Sequence, residues 1–124
     1  MAEDPIPADV REFIEKNIDT IACLEALLLL RANVECSWTS AAVAGRLYIG
    51  ETDADAILHR LTTAGFAEKA EGSFRYTAEP ALDAMAGRLT DLYSRHLIPI
   101  TNLIHSRSGR IRAFASAFKL RKDS

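Results

Sequence analysis

Apolar residues recur at helical spacing along most of this chain and alternate at strand spacing in one place. Pro5 and Pro7 mark a loose start, after which Val10, Phe13 and Ile14 share one face of a first helix, predicted from about Ala8 to Asn17. Asp19 or Thr20 can cap a second helix running to about Arg31 or Ala32. Its Ile21, Leu24, Leu27, Leu28 and Leu30 nearly encircle the axis, which predicts a helix set in the middle of a core. The short piece from Val34 to Ser37 suits a small strand. Thr39 or Ser40 starts a third helix that ends near Tyr48, and Ala41, Ala42 and Ala44 keep it slim enough for a close crossing.

Thr52 then stands where a cap belongs, and Asp55 three residues on completes the S/T-x-x-D/E pattern of a fourth helix. Ile57, Leu58 and Leu61 form its buried side, and Gly65 supplies a C-terminal stop. From Phe66 to Thr77 the period changes to two, interrupted by Glu71-Gly72, which predicts a hairpin. Past Pro80 a long helix is predicted from Ala81 to about His105, kinked at Pro99. Leu82, Met85, Leu89 and Leu92 are spaced as in a coiled-coil seam, and Ile100 and Leu103 continue an apolar face. These six are the candidate dimer interface, although the same seam could instead cover the chain's own first helix. Beyond a break at 106–109, a short helix from about Arg110 to Lys119 would carry Ile111, Phe114, Ala115 and Phe118 on one side and cations on the other. The fold expected is mainly α with a small β-hairpin, in a single domain over 1–124: a core and hairpin at 8–78, a long helix at 79–106 and a basic amphipathic tail at 107–124.

The helix pair TSAAVAGRLYIG and TDADAILHRLTTAGF, followed by the hairpin AEKAEGSFRYT, resembles the MarR-like winged helix-turn-helix regulators of bacteria. The likeness covers residues 38–78, and the long helix after the hairpin resembles the one that pairs two subunits in that group. It implies a dimer whose fourth helices enter successive major grooves of DNA. Two departures stand out. The front of the reading helix lacks the usual polar and basic residues, and the hairpin offers only Lys69 and Arg75, offset by Glu68 and Glu71.

Charge sharpens that conflict. Residues 1–106 carry 9 Lys/Arg and 16 Asp/Glu, whereas residues 107–124 carry six basic residues and one Asp, so an acidic body of −7 is joined to a tail of +5. The body repels a phosphate backbone; the tail could attract one, or dock on the acidic body of the same or a neighbouring chain. Other classes recede. No apolar run approaches the roughly 18 residues of a membrane span. The acidic start lacks an apolar signal core, which predicts a cytoplasmic protein. Cys23 and Cys36 lack CxxC spacing and read as a reduced pair, and His59, His96 and His105 form no metal-ligand motif. No nucleotide loop, HExxH or nucleophile motif is visible, so neither an enzyme nor a cofactor is expected.

Two functions remain. In the first, a dimeric transcriptional regulator binds DNA, with Arg46, Thr52, His59, Arg60, Lys69 and Arg75 as candidate contacts. Asp53 and Asp55 count against it, because a carboxylate offers no donor and its customary base partner is the cytosine amino group; both also suit a helix N-terminus without any binding role. In the alternative, a winged-helix adaptor that does not bind DNA meets a regulatory protein through the acidic face at Asp53 and Asp55. The tail offers a second partner surface at Arg110, Arg112, Phe114, Phe118 and Lys119. Trp38 fits either a partner contact or packing at the entrance of the third helix, and Tyr93 and His96 either a ligand pocket or packing.

Overall fold

At the centre of the core lies α2 (Ile21–Ala32), whose Cys23, Leu24, Ala26, Leu27 and Leu30 are all fully buried and on which further helices and one strand pack. A computed structural model describes residues 5–106. Within that range the chain is mainly helical with a small antiparallel sheet. In chain order come α1 (Ala8–Asn17), α2, β1 (Ser37–Trp38), α3 (Ser40–Leu47), α4 (Glu51–Thr63), β2 (Ala67–Ala70), β3 (Ser73–Tyr76) and α5 (Pro80–Arg95). Residues 97–106 are helical again and are called α6 here. The sheet order is β1-β3-β2, with Trp38 opposite Phe74 and Lys69 opposite that same Phe74 on the other side.

Local chemistry accounts for most boundaries. Thr20 Oγ1 accepts from the Cys23 N–H at 3.1 Å, and Thr39 Oγ1 accepts from the Ala42 N–H at 3.1 Å, so two threonines start α2 and α3. Gly65, at φ +94°, ends α4 in a conformation that L side chains resist. Glu71 and Gly72 both hold positive φ (54° and 79°), the primed turn that joins two strands without splaying them.

Three boundaries differ from the sequence pattern. The strand lies at Ser37–Trp38 rather than Val34–Ser37, because residues 33–36 close a turn in which the Cys36 N–H donates to the Asn33 carbonyl at 2.9 Å. Pairing at Trp38 also sends the large ring of that segment into the core. α4 starts one residue before Thr52, with Gly50 as its cap and no side-chain capping bond. The chain reverses early, through Tyr48 at φ 57°, and Asp55 turns to Ser40 instead of back to its own helix. The long helix is two helices: α5 ends at Arg95, and His96 leaves the helical conformation (φ −130°, ψ 53°). Pro99 has no N–H for the Arg95 carbonyl, and its ring would collide with that oxygen. It sits instead in the first turn of α6, where the missing donor has no partner to lose.

Polar pins tie the helices together. Arg31 Nε and the Tyr76 hydroxyl both donate to Asp83 Oδ1, at 3.0 and 2.6 Å, joining α2, β3 and α5. Arg88 grips Asp9 with two bonds, one of 3.0 Å, joining α5 to α1. Cys23 and Cys36 are free thiols; burial pushes the Cys23 thiol up to about 11.

Candidate interaction face

α4 buries Ala54, Leu58 and Leu61 and therefore turns Glu51, Thr52, Asp53, Ala56, His59 and Thr63 to the surface. Its first turn is acidic. Glu51 and Asp53 lie beside the unsatisfied N–H groups of the helix start, where negative charge is stabilised. Among the described residues, neither makes a side-chain hydrogen bond or an ion pair. Asp55, half-buried, accepts from the Ser40 hydroxyl at 2.7 Å, which holds α4 against the start of α3.

The basic side chains of α4 find partners within the fold, although His59 stays exposed. His59 Nε2 lies 3.5 Å from Asp55, and its ring stands edge-on to Phe74 with centroids 5.2 Å apart. Arg60 Nε donates to the Asn17 carbonyl at 2.8 Å, and another guanidinium nitrogen lies 3.7 Å from Asp19. That arginine closes the end of α1 and the start of α2 against α4. Arg46, on α3, stands 5.5 Å over the Trp38 ring, and Lys69 stands 5.4 Å from the Phe74 ring centroid. Of the six candidate DNA contacts, Thr52 and Arg75 have no side-chain partner among the described residues.

The remaining sequence candidates fall in four groups. Leu89 and Ile100 are fully buried, and Leu103 nearly so, within this one chain; Leu82, Met85 and Leu92 are half-buried against the same core. Trp38 is 8% exposed, and its Nε1–H has no hydrogen-bond partner among the described residues. Tyr93 lies 3.5 Å from Glu25, and burial is the main cause raising its phenol. Arg110, Arg112, Phe114, Phe118 and Lys119 lie outside the described residues.

The pattern along the chain did not reveal a groove between the start of α2 and α4. Ala22, Ile49, Ala56 and Ile57 line it together with Asp19, Thr20 and Asp53. It joins residues of two helices far apart in sequence, so no local period announces it. Its one visible sign is Ile49, an apolar residue in a turn between two helices. A second groove holds Tyr48, 94% exposed, with Leu28, Leu29, Arg46 and Tyr93.

Among the described residues, no group of His, Cys, Asp and Glu is placed to hold a metal ion. No described helix is long and apolar enough to cross a membrane. Comparison with family models, curated proteins and solved structures returns no match to this chain.

Proposed function

We propose that this chain is a winged helix-turn-helix module that acts by binding a partner protein, with the acidic first turn of α4 as its contact face. One observation carries the reading. The exposed start of α4 presents Glu51 and Asp53, while Arg60 is held by the Asn17 carbonyl and Asp19. A groove-reading helix needs donors aimed outward at bases and phosphates. This helix presents acceptors, which suit a basic or donor-rich protein surface. The winged-helix reading itself is supported by the order of α3, a short turn, α4 and a hairpin whose third strand comes from just before α3. The same scaffold serves several functions, so its face decides among them.

A DNA-binding dimer is the second reading. The hairpin favours it, since Arg75 is exposed and Lys69 lies on the same ribbon. Its cations are flanked by Glu68 and Glu71, which weakens any field the hairpin could present to phosphate.

Affinity capture tests the first reading. The full chain should enrich a specific protein, and the double variant Glu51→Lys/Asp53→Lys should lose it while keeping its helical circular dichroism. Neither side chain has a side-chain partner among the described residues, so the cost is confined to the helix start, about 1 kcal/mol per reversed charge, and the circular dichroism checks it. Undiminished capture by the double variant would remove this face from the account.

A further inference from the structure

We infer that the groove between α2 and α4 is the docking site for residues 107–124 of this same chain. Groove and segment are chemically complementary. The floor is aliphatic: Ala22, Ile49, Ala56 and Ile57. The rim is acidic, with Asp19 and Asp53 on it and Glu51 in the same helical turn as Asp53. Residues 107–124 supply the matching pattern in sequence. Ile111, Phe114, Ala115 and Phe118 follow the i, i+3, i+4, i+7 spacing that a groove reads from an amphipathic helix. Around them stand Arg107, Arg110, Arg112, Lys119, Arg121 and Lys122, against one acid, Asp123.

Occupancy of the two rim carboxylates differs. Asp19 already faces the Arg60 guanidinium at 3.7 Å, whereas Asp53 has no partner among the described residues. Asp53 is therefore the rim group with full capacity for an incoming cation. Ala56 is exposed on the same stretch of α4 and leaves room for a ring to lie against the floor. The docking stands without the partner-binding reading, since it concerns this chain alone. Asp53 belongs to both surfaces, however, so a docked 107–124 segment covers part of the face offered to a partner.

Trypsin reads the contact directly, because six of its cleavage residues lie in 107–124. Cleavage of a segment that docks and undocks rapidly follows the undocked fraction. The full chain should be cut in this segment more slowly than a synthetic peptide of the same eighteen residues. Added salt should narrow the difference. Asp53→Asn should speed cleavage in the full chain by about two- to fivefold, the range set by one partly exposed charge pair. Ala56→Trp, which fills the groove without changing charge, should speed it as well. A full chain cut as fast as the free peptide overturns the inference. So does protection that both substitutions leave intact, since the segment would then lie elsewhere.

Discussion

Asp83 shows how single side chains hold this molecule together. The Tyr76 hydroxyl is the main cause lowering its carboxyl below the ordinary value, with the Arg31 guanidinium adding to it. Burial, then Asp83 itself, raises the Tyr76 phenol. A carboxyl lowered by folding stabilises the native state above its unfolded pKa, near 3.9. That contribution is lost as pH falls through the lower folded value. Urea midpoints should therefore drop in acid below about pH 4, and Asp83→Asn should make that drop shallower while lowering the neutral-pH midpoint. Tyr76→Phe should cost about 1 kcal/mol, because the pair is partly open to solvent. Unchanged urea midpoints for Tyr76→Phe would show that the bond contributes nothing to folding. None of this was legible beforehand: Arg31, Tyr76 and Asp83 meet only when three elements have packed.

At the scale of elements, structure was legible where its cause is local. Thr20 and Thr39 cap through bonds three residues away, and Glu71-Gly72 makes its turn from two adjacent dihedrals. Boundaries set by neighbouring elements were misread. α4 starts early because Asp55 bonds to Ser40 rather than completing a capping box, and β1 slides to Trp38 because that ring has Phe74 opposite it. Pro99 was visible, but its effect falls on the preceding turn and breaks the helix instead of bending it. Two substitutions probe these joints. Gly65→Ala meets both the positive φ and Leu82 Cδ1, 3.0 Å from the added carbon, and should lower stability by about 1–2 kcal/mol by thermal melting. Glu71→Asn installs the Asn-Gly pair that the primed turn favours and should raise the melting temperature. A lower melting temperature in that variant would contradict the turn assignment.

For the whole molecule, the split of charge was evident from the start, whereas the direction of each charge was not. Arg60 looked like a groove contact along the chain; in the fold it closes α1 and α2 onto α4. Leu89 and Ile100 fitted either a seam for a second subunit or cover for this chain's own helices, and they lie wholly inside this chain. What remains exposed at the front of α4 is carboxylate, and the proposed partner contact rests on that. Fluorescence anisotropy of labelled duplex DNA, titrated with the full chain at low salt, tests it most directly. The account predicts no saturable rise at micromolar protein. A saturable rise that weakens steeply with added salt would show phosphate binding and contradict it.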